Sequence, residues 1–184
     1  MKRNSALSIA VAATILTALV YPEAASTAPQ KTATAQQKMA SVNYLLGTWS
    51  CGHQVGTFSG HYKTTYTMAL GNLWLKQTYD FPPQQFGGSN EATVTAEALM
   101  GYDERQGQWV RFFATSTGEY FPLRMKETAD GWEYRYISFF GSKPETAEAD
   151  AKFTKKSDSD YLIDGPTYPD NGKQVTEHHS CHKL

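Results

Sequence analysis

The chain has 184 residues, 40% of them hydrophobic and 19% charged, with 17 Lys and Arg against 18 Asp and Glu and a net charge of -1. That length suits one domain of ~150 residues rather than two, and the charge balance carries neither the basic footprint of a nucleic-acid binder nor a polybasic membrane patch. Two cysteines are too few for a disulfide-scaffold miniprotein or a four-thiolate zinc site, and the apolar content excludes a disordered chain.

Residues 1–26 read as a secretory signal peptide. Lys2 and Arg3 give the basic start, residues 6–20 are uncharged and mostly Ala, Leu, Ile and Val, and Ala24, Ala25 and Ser26 follow Pro22 as a small-residue exit. The apolar run falls short of the ~20 residues that a membrane span needs. The expected destination is therefore secreted or periplasmic, with no stable membrane insertion after cleavage. Residues 27–41 hold one large apolar side chain, Met39, and read as a flexible lead-in or, around 34–39, as a short helix lying like a lid on the main domain.

Residues 42–184 form that main domain. Past residue 26 the chain keeps 23 aromatic residues and 18 threonines but 16 residues of Ile, Leu and Val together. Rings and Thr suit a pleated, half-buried surface, so the core is expected to be filled by rings. The hydrophobic period is two: Tyr62, Thr64, Tyr66 and Met68 alternate with Lys63, Thr65 and Thr67. Leu75, Gln77, Tyr79 and Phe81 do the same, as do Trp132, Tyr134, Tyr136 and Phe140. Turn signals stand at Gly71-Asn72, Gly87-Gly88, residues 103–107, Asp130-Gly131 and Asn171-Gly172. About ten strands result, near 46–55, 59–70, 73–81, 92–102, 108–116, 119–127, 132–140, 149–157, 160–165 and 173–183. A helix is conceivable at 144–150. Phe112 and Phe113 are adjacent, as are Phe139 and Phe140, so one ring of each pair faces outward.

So many strands in one domain must deal with their edges, and a closed antiparallel up-and-down barrel removes them. Cys51 is in the first strand and Cys181 in the last. With an even strand number those two strands are antiparallel neighbours, and a Cys51–Cys181 disulfide across them sets a register in which partners sum to 232. Trp49 then faces Lys183, His53 faces His179 and Val55 faces Glu177, with Trp49, Cys51 and His53 on one face.

Gly47-Thr48-Trp49 resembles the Gly-x-Trp signature of lipocalins and the wider calycin barrels, where a late basic residue packs across the Trp; Lys183 is in the corresponding place. A further set of stretches is similar to a bacterial family of secreted, calycin-like barrels of unknown function. These are Leu46-Gly47-Thr48-Trp49-Ser50-Cys51, Met100-Gly101-Tyr102-Asp103, Gly118-Glu119-Tyr120, Ala151-Lys152-Phe153-Thr154-Lys155-Lys156-Ser157-Asp158 and Ser180-Cys181-His182-Lys183. The resemblance implies a fold and carries no activity with it.

Chemistry is sparse. The chain lacks a Gly-x-Ser-x-Gly elbow, a Walker loop and a dinucleotide fingerprint, and Asp158 and Asp160 flank a polar turn. On a strand, His178 and His182 lie ~13 Å apart, too far for one ion. His53 and His179 are the better pair, and Glu177 or a water would extend them toward a zinc-type site. Nitrobindins, also ten-stranded barrels of calycin type, bind haem through a histidine of the last strand, a place comparable to His178 or His179. The leading expectation is non-catalytic and cofactor-free. A small apolar or amphipathic molecule is buried against Trp49, Tyr66, Tyr79, Trp109, Phe113, Tyr134 and Tyr136, with His53 and His179 as polar groups at the mouth. The alternatives are haem- or metal-dependent activity at histidines of the first and last strands, and a filled barrel serving as a structural or protein-interaction module.

Overall fold

Strand closure answers the edge problem. The computed structural model describes residues 33–81, 95–118, 120–137, 150–170 and 172–184, the backbone alone at 150 and 168–170. Its strands are β1 (Gly47–Val55), β2 (Phe58–Ala69), β3 (Trp74–Asp80), β4 (Thr95–Asp103), β5 (Gln108–Thr115), β6 (Tyr120–Thr128), β7 (Gly131–Tyr136), β8 (Asp150–Lys155), β9 (Asp160–Asp170) and β10 (Lys173–Lys183). Each pairs with the strands before and after it in sequence, and β1 pairs with β10 to close the ring, giving an all-β, ten-stranded antiparallel up-and-down barrel. Expected positions 1–32, 92–94 and 138–149 lie outside the described residues, and so do the Gly87-Gly88 turn and Phe139-Phe140. Asp150, the last residue of the conceivable helix, begins β8.

The strand that departs most from expectation is β9, which continues to Asp170 instead of stopping near 165. Gly165 and Pro166 together face the single residue Glu177 of β10, between the Asp164–His178 and Thr167–Thr176 pairs. This is a bulge. It breaks the period of two and carries a proline that reads as a strand end, so the continuation is hidden in the sequence.

The seam follows the expected register. Trp49 faces Lys183, Cys51 faces Cys181, His53 faces His179 and Val55 faces Glu177. Cys51 and Cys181 are joined in a disulfide. The inward faces of the barrel carry Trp49, Tyr62, Tyr66, Trp109, Phe121, Trp132, Tyr134, Phe153 and Tyr161, all buried, with Leu75, Met100, Leu123 and Met125 between them. Phe112 is turned outward and 52% exposed, while its neighbour Phe113 packs on the core.

One end is sealed by the segment that precedes β1. A helix α1 (Ala35–Ala40) forms there because Thr34 and Gln37 make a capping box, each side chain accepting from the other's backbone N–H. A single turn at Asn43–Leu45 follows. Met39, Val42 and Leu45 are the plug, each buried almost completely. Glu104 accepts from the Ala35 N–H and Lys38 pairs with Glu127, tying the helix to the β4–β5 turn and to β6. Trp49 Nε1 donates to the Leu45 carbonyl at 2.7 Å. Lys183 Nζ donates to the Tyr44 carbonyl at 2.9 Å and stands 5.7 Å from the Trp49 ring centre, a cation–π contact. Among the described residues no helix is long and apolar enough to cross a membrane.

The disulfide spans 130 residues, and a link of that reach removes up to about 5 kcal/mol of chain entropy from the unfolded state. Replacing both Cys51 and Cys181 with Ser is expected to lower unfolding free energy by up to about 5 kcal/mol in urea titrations. Non-reducing peptide mapping of the parent protein should recover the Cys51–Cys181 cross-link.

Candidate functional site

The barrel is asymmetric along its axis. Below, the plug and the rings of Trp49, Trp109, Phe153 and Tyr161 are buried. At the opposite end the inward side chains of Tyr79, Phe81, Phe113, Tyr136 and Ile163 are only partly buried. Tyr79 and Phe81 stack there with ring centres 5.5 Å apart, and Tyr62 and Phe113 flank them at 5.0 Å from Phe81 and 5.2 Å from Tyr79.

At mid-height, the alternation of β5 sends Trp109, Arg111 and Phe113 inward, and so carries a guanidinium into the core. Arg111 is 8% exposed. Its Nη2 donates to Gln77 Oε1 at 2.7 Å and to the Tyr79 hydroxyl. Gln77 Nε2 donates in turn to Thr64 Oγ1 at 2.9 Å, and Thr64 to the Thr78 carbonyl at 2.9 Å. The guanidinium carbon also lies 5.6 Å from the Tyr134 ring centre. Burial opposes the charge on Arg111, while Tyr79, Tyr134, Tyr66 and Tyr136 around it raise its pKa above the ordinary value only as they themselves ionise. The tyrosines are raised by burial, with Arg111 pulling against the rise, and Tyr134 reaches about 12. They are neutral at physiological pH and do not cancel the charge. Among the described residues no carboxylate forms an ion pair with Arg111. A cavity of about 10 Å³ adjoins it, lined by Tyr66, Gln77, Ala98, Met100 and Tyr134 among others. Its size is near that of one water.

At the half-buried end, β1 and β10 bring His53, Glu177 and His179 together. Glu177 Oε2 is 3.8 Å from His53 Nε2 and 3.3 Å from His179 Nε2. The two imidazoles lie nearly parallel, 14° apart with centres at 4.5 Å. Tyr62 Oη is 3.0 Å from His179 Nδ1. The His53 side chain is 9% exposed, and its Nε2 has no hydrogen-bond partner among the described residues. Burial first, then the neighbouring His179, depresses the His53 pKa from 6.5 to about 4, with Glu177 opposing.

The nine side chains expected to line the barrel are therefore spread along its axis, Phe113 and Tyr136 among the half-buried rings just described. Trp49 and Trp109 belong to the sealed lower core. Tyr66 and Tyr134 surround the Arg111 level, Tyr79 joins that level to the upper rings, and His53 and His179 stand at the seam near the rim. His178 points outward and pairs with Asp164 at 2.8 Å, and His182 likewise with Asp160 at 2.8 Å. Arg111 is absent from the expected set, although its position between two inward rings, Trp109 and Phe113, is an available signal. A groove of about 650 Å³ adjoins α1 and β4–β7, lined by Lys38, Tyr102, Trp109, Arg124 and Glu133 among others. Its carboxylates Glu127 and Glu133 already pair with Lys38 and Lys126.

No family model matches this chain, and no curated protein matches it.

The His53 environment sets a pH dependence. Unfolded, the imidazole takes a proton near pH 6.5; folded, it resists until about pH 4. The unfolded state therefore binds more protons across that window, and the stabilisation present above pH 6.5 is lost as pH falls toward 4. His53→Gln is expected to flatten this slope relative to the parent in unfolding free energies measured at half-unit steps of pH, while slopes from other groups persist.

Proposed function

We propose that the protein is a secreted or periplasmic carrier of calycin type that binds a small amphipathic acid without catalysis. The anionic head pairs with Arg111 and the Tyr79 hydroxyl, and the apolar body lies among Tyr62, Phe81, Phe113 and Tyr136. The observation that carries this reading is the buried guanidinium with no carboxylate partner among the described residues. A buried charge is ordinarily paired, because removing it from water is expensive. Neutral Gln77 and Tyr79 satisfy two of its hydrogen bonds and leave its charge to be met by a ligand. The half-buried rings above it supply the apolar surface that such a ligand needs. The calycin assignment is supported by Gly47-Thr48-Trp49 with Lys183 across the Trp49 ring. Residence outside the cytoplasm is supported by the leader-like residues 1–26 and by the disulfide.

The test compares a carboxylate with its uncharged analogue. A charge-assisted hydrogen bond is worth about 1.5–3 kcal/mol, so calorimetric titration with decanoate should show binding roughly 10- to 150-fold tighter than with decanol. Arg111→Met should abolish the difference. Equal affinities, or a preference retained by the variant, would overturn the reading.

A stability measurement complements it. A cation held for a ligand contributes little to the unliganded fold. Exchanging Arg111 and Gln77 together for Met is therefore expected to leave unfolding free energy unchanged or raise it by about 1–4 kcal/mol. If Arg111 were a structural pivot, the pair would instead lose several kcal/mol.

A further inference from the structure

We propose that His53, Glu177 and His179 form a binding site for a divalent first-row transition ion, of which zinc is the test case. This site is separate from the Arg111 level and goes beyond the carrier reading. Its donors come from two strands: one ligating atom from each residue can be chosen so that all lie within 4.8 Å of one another. Zinc–nitrogen bonds of about 2.0–2.1 Å in a tetrahedron put neighbouring donors about 3.3 Å apart. The Glu177 oxygen stands at 3.3 and 3.8 Å from the two imidazole nitrogens. Ligation by both imidazoles requires the near-parallel rings to turn out of their stack about their side-chain torsions, so that the two lone pairs converge beside the Glu177 oxygen.

Three further features single out this cluster. His53 Nε2 is a buried polar atom without a hydrogen-bond partner among the described residues, and leaving such an atom unsatisfied costs about 1–3 kcal/mol; an ion beside Glu177 supplies what it lacks. Tyr62 Oη engages the second nitrogen of His179, the outer contact that orients a ligating imidazole. The disulfide clamps the pair, since Cys51 is two residues before His53 and Cys181 two residues after His179, directly opposed across the seam. Two imidazoles and a carboxylate leave a fourth position for water or for a donor atom of a bound molecule.

The exposed pairs His178–Asp164 and His182–Asp160 serve as controls, because each offers two side-chain ligands on the outer wall. The experiment titrates the chelator-stripped, disulfide-intact protein with zinc by calorimetry. A parallel titration with cobalt reports coordination geometry through its visible absorption. Expected are one equivalent of zinc, a tetrahedral cobalt spectrum, and at least tenfold weaker binding in each of His53→Gln, Glu177→Gln and His179→Gln. The His178→Gln/His182→Gln protein should bind as the parent does. Glu177→Gln keeps the test decisive if a histidine variant fails to fold. Absence of saturable binding by the parent, or parental affinity retained by Glu177→Gln, would overturn the proposal. So would loss of binding in the His178/His182 control.

Discussion

A barrel loses its edges only where its first strand meets its last, and in this chain that meeting is fixed by the bond between Cys51 and Cys181. Because side chains alternate with a period of two, a slip of one residue at the seam would turn every inward group of β1 or β10 to the outer wall. Trp49 would leave the plug that it joins through Leu45, and His53 would leave His179. The covalent link thus fixes the lower seal and the rim cluster together, four residues apart on the same face of β1.

Between these two levels the barrel accepts an electrostatic arrangement that folding alone does not favour. Arg111 occupies a wall position that an aliphatic side chain would fill without penalty, and it is surrounded by tyrosines whose own ionisation is suppressed by burial. The hydrogen-bond ladder through Gln77 and Thr64 to the Thr78 carbonyl makes the guanidinium tolerable and holds it still. Such a ladder orients a charge while leaving it uncancelled. On the carrier reading proposed above, function and stability are in opposition at this single residue, a frequent condition of binding sites.

Much of this fold is legible because the chain states its alternation plainly. The strand pattern around Tyr62–Met68, Leu75–Phe81 and Trp132–Tyr136 gives the inward face. The two cysteines, placed in the first and last strands, give the register, and with it the His53–His179 pair and the position of Glu177. What stays hidden has physical reasons. Arg111 escapes notice because a charged residue on a strand is ordinarily taken as outward, and only its inward neighbours argue otherwise. The end of β9 is masked by Gly165 and Pro166, a bulge that resembles a stop. The lid is legible as a short helix around 34–39, but the division of the rings into a sealed half and a half-buried half is not. It depends on Met39 of α1 docking together with Val42 and Leu45 after it, side chains that carry no strand pattern of their own.

The order of the strands also has a consequence for how the molecule comes to be. Among the described strands, every pairing but one joins consecutive segments, and the exception joins β1 to β10 across 130 residues. Local hairpins can zip together as soon as their two arms exist, whereas ring closure must wait for the longest loop in the chain. Until β10 arrives, β1 and β9 present unpaired backbone, and the incomplete sheet is open to association with its own kind. Assembly of this barrel is therefore vectorial, with the hazard concentrated in its last step and the oxidation of one cysteine pair marking its end.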